Sequence, residues 1–156
     1  MFEKADESDL EAIVEIEKKT FNNPWTKHSI LESIKRNEIL VFRNKKSDEL
    51  QHSRFCSNDL VGFLIFQQVV DEVSLLQVSI DPELQGNGFG KILCQFWLKT
   101  LSDEVKTIWV EVRASNVIAQ SMYRSLGFKK CSERKGYYTK SDTKKKEDAY
   151  IYKLKK

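Results

Sequence analysis

Three glycines stand at every second position in residues 86–90, directly after the apolar run 75–80 and directly before an apolar stripe of helical period. Pro82 ends the apolar run, and glycine lets the backbone turn sharply and approach another group closely. The helix that follows begins with N–H groups that have no intrahelical acceptor, at the positive end of its dipole. The order of strand, glycine turn and helix therefore predicts an α/β fold with an anion site, where Lys91 would add a formal charge.

The spacing of the glycines separates this turn from two common phosphate-binding loops. A dinucleotide-binding turn requires G-x-G-x-x-G, but counted from Gly86 the third glycine position is Lys91. A nucleoside-triphosphate loop requires G-x-x-x-x-G-K-[ST], but Gln85 replaces its first glycine and Ile92 replaces its hydroxyl residue. The pattern that remains, Q-x-x-G-x-G from Gln85, indicates either a different phosphate-binding turn or a turn that serves chain geometry alone.

Length and composition favour one globular α/β domain over residues 1–156. A chain of 156 residues can bury a single core, and its 40% hydrophobic and 31% charged residues are typical of globular proteins. No apolar stretch approaches the roughly 20 residues that cross a bilayer. The first nine residues carry four acidic side chains, unlike a secretory signal. We therefore expect a cytoplasmic protein without a membrane partner.

The three cysteines, Cys56, Cys94 and Cys131, are widely and unequally spaced and form no C-x-x-C pair. This spacing predicts neither a disulfide framework nor a metal site. It also disfavours a covalent thiol mechanism. We expect these residues to be mostly buried and to act as small apolar side chains.

The net charge of +3 conceals an uneven distribution. Residues 129–156 hold eleven Lys and Arg residues against four Asp and Glu residues, so this segment alone carries +7. Such a segment would attract cofactor phosphates, a ribosome surface or an acidic peptide, or it is simply a solvated lysine-rich hairpin and tail. Nothing in the chain resembles a module that reads nucleic-acid sequence, so we expect no direct sequence-specific nucleic-acid binding.

Hydrophobic periodicity predicts the elements around the turn. Ser8 and Thr26 are candidate caps of two helices near the N-terminus, and Asn116 is the candidate cap of a helix that ends at Gly127. The polar stretch 43–59 is longer than most connections and predicts a flexible loop. Strands are expected at residues 39–42, 60–70, 73–81, 107–112, 128–131 and 148–154.

Glu111 lies within an apolar strand, near its C-terminal end. With a period of two, Ile108, Val110 and Val112 share one face of that strand, and Glu111 lies on the other face. Because ligands of open α/β sheets gather at the carboxyl ends of strands, this carboxylate is a candidate for proton transfer. A strand carboxylate that faces water or pairs with a lysine is the competing interpretation.

Tyr123 and Asn116 belong to the helix that follows. Tyr123 shares an apolar stripe with Ala119 and Leu126, which is typical of a core tyrosine whose hydroxyl has a local partner. Its phenol, with a reference pKa of about 10, is also able to donate a proton to a leaving thiolate whose conjugate acid has a pKa of about 8.5. Asn116 is either a helix cap alone or a cap that also contacts a ligand.

Several short segments occur in a fixed order along nearly the whole chain: PWT at residues 24–26, VVDE at 69–72, the turn at 85–90, WVEVRASN at 109–116, YRSLGF at 123–128, YY at 137–138 and EDA at 147–149. Together they resemble the RimI-type bacterial N-acetyltransferases of the GNAT superfamily. The glycine turn is typical of the whole superfamily, whereas WVEVRASN and YY indicate this branch. The resemblance implies a single domain whose mixed, mostly antiparallel central sheet is flanked by helices.

The resemblance also implies a reaction and a set of site residues. The reaction is transfer of an acetyl group from acetyl-coenzyme A, without a metal, to the N-terminal alanine of small-subunit ribosomal protein eighteen. Glu111 would be the general base and Tyr123 the general acid, and Tyr137 and Tyr138 would lie beside the acceptor peptide. The residues implied to hold the cofactor are Val78, Ser79, Ile80, Gln85, Gly86, Asn87, Gly88, Phe89, Gly90, Lys91 and Asn116.

Two departures from the family pattern concern the choice of peptide. Thr139 follows the tyrosine pair where the family often has proline, and the stretch 43–59 is longer than expected. Two alternatives stay open: acetylation of a protein lysine or a small-molecule amine, and an acyl-coenzyme A-binding module that docks on a ribosome without turnover. The presence of both Glu111 and Tyr123 favours catalysis over such a module.

Overall fold

The computed structural model describes residues 1–44, 59–139 and 146–156. Most of the loop predicted at 43–59, including Cys56, lies outside the described residues. The helices in the described ranges are α1 (Leu10–Thr20), α2 (Lys27–Lys35), α3 (Phe89–Thr100) and α4 (Val117–Ser125). The strands there are β1 (Phe2–Lys4), β2 (Ile39–Arg43), β3 (Leu60–Val69), β4 (Glu72–Ile80), β5 (Thr107–Arg113), β6 (Lys129–Thr139) and β7 (Lys146–Lys155).

The strands form one mixed sheet in the order β1-β2-β3-β4-β5-β7-β6. The pairs β1–β2, β2–β3, β5–β7 and β6–β7 are antiparallel, and β4 pairs with β5 in parallel. The expected mixed, mostly antiparallel sheet with flanking helices is therefore confirmed. By contacts, the chain divides into two compact units, Met1–Ile65 with Gln77–Leu98 and Phe66–Leu76 with Lys99–Lys156.

The first unit buries an apolar core beneath α1 and α2. Ile13 of α1 and Ile30 of α2 are fully buried, as are Val41 of β2 and Phe63 of β3. Burying an apolar side chain of this size contributes roughly 1.5–3 kcal/mol, so the helical stripes and the strand faces define this core together. Thr26 caps α2 as predicted, because its hydroxyl accepts the N–H of Ser29 at 3.1 Å.

The cap at the N-terminus is Asp6, and the prediction of Ser8 was wrong. The Asp6 carboxylate accepts the N–H of Ser8 at 2.7 Å, at the start of a short 3-10 turn (Glu7–Asp9) that leads into α1. The carboxylate of Asp9 accepts the N–H of Asp6 at 3.1 Å and completes a reciprocal capping box. Asp6 has the extended backbone that a cap requires, whereas Ser8 already lies inside the turn.

Strand β5 of the second unit carries the alternation predicted from its sequence. It pairs with β4 in parallel up to the pair Leu75 and Val110, and with β7 over its whole length. Ile108, Val110 and Val112 are buried, whereas Glu111 is partly exposed. The period of two is therefore confirmed, and it places Glu111 on the partly exposed face of the strand.

Strand β6 continues to Thr139, although the sequence predicted a strand over residues 128–131 only. Most of its residues are exposed and many are charged, so no apolar alternation marks its course. Its hydrogen-bonded register with β7 defines it instead. The three-residue strand β1 was also unpredicted, since so short a run shows no period.

The cysteines agree only in part with the expected burial. Cys94 is buried on α3, and this burial raises the pKa of its thiol to about 12, whereas Cys131 of β6 is exposed. Both are free thiols. Within residues 1–44, 59–139 and 146–156, no group of three or more His, Cys, Asp or Glu side chains is arranged to hold a metal ion. None of the helices in these ranges is long and apolar enough to span a membrane.

Candidate active site

The glycine turn is held in a defined shape by its own side chains. Gly86 and Gly88 both have φ of +79°, in the left-handed region that glycine adopts without steric cost. The side-chain amide of Gln85 donates to the carbonyl of Ile80 at 3.0 Å. The side-chain amide of Asn87 donates to two carbonyls of the turn, at 3.0 and 3.2 Å. The backbone of the turn is therefore preorganised.

Helix α3 begins directly at this turn. The N–H of Ile92 donates to the carbonyl of Gly88 at 3.2 Å, which makes Gly88 the N-terminal cap residue. The amides of Phe89, Gly90 and Lys91 then lie in the first turn, where no intrahelical acceptor exists. Together with the positive end of the dipole and the Lys91 ammonium, they form a donor set that fits a diphosphate. The predicted strand-to-helix turn is confirmed, and its ligand stays a prediction.

The last residues of β4 carry a second feature that fits a ligand. The parallel ladder with β5 ends at Leu75, so Val78, Ser79 and Ile80 are not part of it. Ser79 is 1% exposed, and its hydroxyl has no hydrogen-bond partner among the described residues. An unpaired buried hydroxyl costs about 1–3 kcal/mol. This orphaned group fits a stretch of strand that a ligand completes.

Gly62 of β3 permits a close approach of the backbone at the same place, and the sequence analysis missed it. A Cβ atom at this position would lie 2.4 Å from the carbonyl oxygen of Ser79 and 2.5 Å from the side chain of Ile80. Any larger residue would therefore displace β4 where its last residues are expected to bind the cofactor. The isolated glycine within a strand pattern was the signal that could have found it.

Two side chains of β6 hold the carboxylate of Glu111. The hydroxyl of Tyr138 donates to Oε1 at 3.0 Å, and Nη1 of Arg134 lies 3.1 Å from Oε2. The side chain of Glu111 is 26% exposed and that of Arg134 is 53% exposed. A carboxylate that is oriented by two donors and still open to solvent is placed to accept a proton from an incoming amine.

An irregularity in β6 aims both partners at Glu111. Between Arg134 and Tyr138 the register advances four residues along β6 but only two along β7. Gly136 lies in this bulge with φ of +60° and donates its N–H to the carboxylate of Asp148 at 2.7 Å. Bulges of this kind re-aim side chains beside binding sites, and here the bulge brings a phenol and a guanidinium to one carboxylate.

A second ion pair lies against Tyr138. The guanidinium of Arg113 lies 4.1 Å from the centre of the Tyr138 ring, and its Nη1 is 3.3 Å from Oε2 of Glu147. Glu147 is buried and also accepts the N–H of Ser115 at 2.8 Å. Burial of Tyr138, and then its hydrogen bond to Glu111, raise the pKa of this tyrosine. Its hydroxyl therefore stays protonated and acts as a donor at neutral pH.

Glu111, Tyr137 and Tyr138 are the predicted residues that the second unit brings together. Tyr137 is 50% exposed, and its ring meets that of Tyr138 edge-on at 5.1 Å. Arg134 belongs to the same cluster but was not among the predicted site residues. Its place beside Glu111 depends on the bulge in β6 and on the register with β7, so no local pattern in the sequence marks it.

Tyr123 and Asn116 occupy the predicted helix α4. Tyr123 is 6% exposed, and its ring packs edge-on against Phe128 at 5.7 Å. The side-chain oxygen of Asn116 accepts the N–H of Ala119 at 3.1 Å, which confirms the predicted cap. Gly127 follows the helix with φ of +92°. The acid role of Tyr123 and the cofactor contact of Asn116 stay predictions.

Comparison with known proteins places this geometry in a family. Residues 10–128 match the model of the acetyltransferase (GNAT) family. The chain is 33% identical over 143 residues to ribosomal protein bS18 alanine N-acetyltransferase of Haemophilus ducreyi, with 91% of each chain covered. The crystal structure of the ribosomal-protein-S18-alanine N-acetyltransferase from Escherichia coli matches with a TM-score of 0.82 and 30% identity, over 99% of this chain and 92% of that one.

A structure of Arabidopsis thaliana NAA60 in complex with acetyl-CoA also matches, with a TM-score of 0.81 over 99% of this chain and 97% of that one. Its identity is 19%, so this match shows the fold alone. The matches to the two bacterial enzymes confirm the resemblance that the short segments indicated. The chain belongs to the acetyltransferase (GNAT) family and is an N-acetyltransferase.

Proposed function

We propose that this protein transfers the acetyl group of acetyl-coenzyme A to the N-terminal α-amine of a small-subunit ribosomal protein that begins with alanine. The observation that carries this assignment is the similarity, over 91% of the chain or more, to enzymes named for that reaction. The partly exposed carboxylate of Glu111 supports catalysis over acyl-coenzyme A binding alone.

The cofactor would bind to the end of β4 and to the glycine turn. The backbone of Val78, Ser79 and Ile80 would pair with the amides of the pantetheine arm as a neighbouring strand would. The orphaned hydroxyl of Ser79 supports a ligand at this place. Asn116 would add a contact through its side chain. The residues assigned to the diphosphate are Gln85, Gly86, Asn87, Gly88, Phe89, Gly90 and Lys91.

Glu111 would accept the proton of the attacking amine, directly or through a water molecule. An α-amine with a pKa of about 7.8 costs only about 1 kcal/mol to deprotonate at pH 7, whereas a lysine with a pKa of about 10.4 costs about 4.6 kcal/mol. One carboxylate is adequate for the first task. This difference supports an N-terminal amine as the acceptor.

The amine would attack the carbonyl carbon of the thioester directly, without an acyl-enzyme intermediate. A new C–N bond forms, the C–S bond breaks, and backbone amides stabilise the oxyanion. Tyr123 would donate a proton to the departing thiolate, and Glu111 would take one from the amine. Burial and the raised pKa of its thiol argue against Cys94 as a nucleophile.

The acceptor peptide would lie beside Tyr137 and Tyr138. Tyr138 already reaches Glu111 through its hydroxyl, so a peptide against this ring would have its terminal amine near the base. The half-exposed ring of Tyr137 would offer an apolar surface to the residues that follow the terminal alanine.

The test uses purified protein, acetyl-coenzyme A and two peptides. One peptide has a free N-terminal alanine and no lysine, and the other is blocked at its N-terminus and contains one lysine. Mass spectrometry reports which amine gains an acetyl group, and we expect the terminal alanine. Acetylation of lysine alone would overturn the substrate assignment. Binding of acetyl-coenzyme A without any acetylation would indicate a binding module instead.

A further inference from the structure

We propose that Arg134 is a charge filter at Glu111, which makes the site accept an N-terminal α-amine in preference to a lysine side chain. This inference rests on the proposed function and names a residue that sets its specificity. Three observations carry it: the ion pair of Arg134 with Glu111, the neighbouring ion pair of Arg113 with Glu147, and the exposure of the Arg134 guanidinium.

The ion pair occupies the place where a cationic acceptor would bind. Nη1 of Arg134 lies 3.1 Å from Oε2 of Glu111, and the hydroxyl of Tyr138 occupies Oε1. An ammonium group that approaches this carboxylate therefore meets a positive charge on one oxygen and a hydrogen-bond donor on the other. A neutral amine meets the same groups without charge repulsion.

Glu111 and the neighbouring Arg113 each have an oppositely charged partner. Arg134 from β6 neutralises Glu111, and Glu147 from β7 neutralises Arg113 at 3.3 Å. Tyr138 is uncharged at pH 7, as a tyrosine is at its ordinary pKa of about 10, and burial raises the pKa of this one further. The carboxylates of Glu111 and Glu147 are therefore each paired with a guanidinium, which weakens their attraction for a further cation.

A second cation lies beside this face of β5. Lys153 of β7 has its ammonium 4.7 Å from the centre of the Trp109 ring, and Trp109 shares a strand face with Glu111. This second cation adds to the repulsion of an ammonium group rather than relieving it.

The two kinds of acceptor differ strongly in charge at neutral pH. An α-amine with a pKa of about 7.8 is about 14% neutral at pH 7, whereas a lysine with a pKa of about 10.4 is about 0.04% neutral. An α-amine can therefore enter as a neutral molecule, while a lysine arrives almost always as a cation. A guanidinium beside the base repels the cation and leaves the neutral amine unaffected.

Arg134 is held weakly enough to make way for the acceptor. Its side chain is 53% exposed, so water can solvate the guanidinium when it leaves the carboxylate of Glu111, which is itself 26% exposed. The guanidinium also lies 5.1 Å from the centre of the Tyr137 ring, which offers it an alternative cation–π contact. When Arg134 moves toward this ring, the hydroxyl of Tyr138 still orients Glu111 for proton transfer.

The experiment compares the two peptides described above as alternative acceptors. For the native protein and each variant, kcat/KM is measured for the α-amine peptide and for the lysine peptide at pH 7. The preference is the kcat/KM of the α-amine peptide divided by that of the lysine peptide. In Arg134→Gln and Arg134→Met, we expect this ratio to fall about tenfold, because the lysine peptide is acetylated faster. In Arg134→Lys, which keeps the charge, we expect most of the preference to remain.

Lys130→Gln is the matched control. Lys130 lies on the same strand, its substitution removes the same charge, and its partners are Glu133 at 3.0 Å and the ring of Tyr150. We expect the ratio of the two kcat/KM values in Lys130→Gln to equal that of the native protein. Thermal unfolding of each variant checks that the fold is intact.

The proposed role of Arg134 would be overturned if the preference stays within twofold of the native value in both charge-removing variants. It would also be overturned if kcat/KM falls by the same factor for both peptides. Lysine acetylation below detection in both variants would also overturn it. Native protein that fails to acetylate the α-amine peptide contradicts the proposed function instead, so the two failures are distinguishable.

Discussion

The glycine turn and the Glu111 cluster are two candidate sites built from different parts of the chain. The turn uses backbone N–H groups of consecutive residues, shaped by left-handed glycines and short side-chain hydrogen bonds. The cluster uses side-chain atoms from three strands, and its central contact joins Glu111 to Tyr138 over 27 positions of sequence. Ligand binding at the turn should therefore depend on the shape of its backbone, whereas the cluster should depend on individual side-chain atoms.

The largest effect is expected from Glu111→Gln, which removes the base but keeps the shape of the side chain. We expect kcat/KM for the alanine peptide to fall about 100- to 1,000-fold, because general-base catalysis contributes that much. Initial rates at pH 7 measure it, and calorimetry should find the Kd of acetyl-coenzyme A unchanged. Glu133→Gln, on exposed β6 and paired with Lys130, is the control that should keep its activity. Full kcat in Glu111→Gln would show that another group is the base.

Tyr123→Phe should have the next largest effect. We expect kcat to fall about 10- to 100-fold because the leaving thiolate loses its proton donor. The ring would still pack against Phe128, and thermal unfolding checks that the fold is intact. Tyr150→Phe, which removes a hydroxyl from β7, is the matched control and should leave kcat unchanged. Equal activity in both variants would remove Tyr123 from the mechanism and leave the cluster as the whole catalytic site.

Gly88→Ala tests whether the turn depends on its backbone. A left-handed alanine costs about 1–2 kcal/mol, so we expect the Kd of acetyl-coenzyme A to rise about tenfold as the turn changes shape. Calorimetric titration measures it. The control is Gly127→Ala, where φ is +92° at the end of α4. This variant should lose similar stability and keep the native Kd, and a raised Kd in both would point to a global effect.

Lys91→Gln should have the smallest effect, if backbone groups dominate the anion site. We expect the Kd of acetyl-coenzyme A to rise about two- to fivefold, since an exposed ion pair, here with a phosphate, contributes at most about 1 kcal/mol. The Kd of this variant should also change less steeply with salt concentration than the Kd of the native protein. Lys99→Gln, in the last turn of the same helix, is the control and should match the native protein. A larger effect in Lys91→Gln than in Gly88→Ala would contradict the contrast between the two sites.

The elements that the sequence predicted correctly are those with a local cause. Thr26 and Asn116 cap their helices through a bond to an amide three residues away. Strand β5 shows its alternation because one face is buried and the other is partly exposed. In each case, the residues that produce the feature are close together in the sequence, so the pattern can be recognised there.

The elements that were missed have causes elsewhere in the chain. Most of β6 is exposed and is a strand because it pairs with β7, not because its own residues alternate. The choice of Asp6 over Ser8 as a cap depended on where the 3-10 turn begins, and both residue types are good caps. Gly62 has a role only because the backbone of Ser79 approaches it.

The sequence by itself determined the strand-turn-helix unit, the family resemblance and the face on which Glu111 lies, because each depends on neighbouring residues and on the fixed periods of helices and strands. The tertiary structure alone decided what Glu111 contacts. The bulge at Gly136 and the register of β6 with β7 bring Arg134 and Tyr138 to its two oxygens. Strand pairing over long separations sets such contacts, and no local pattern records them.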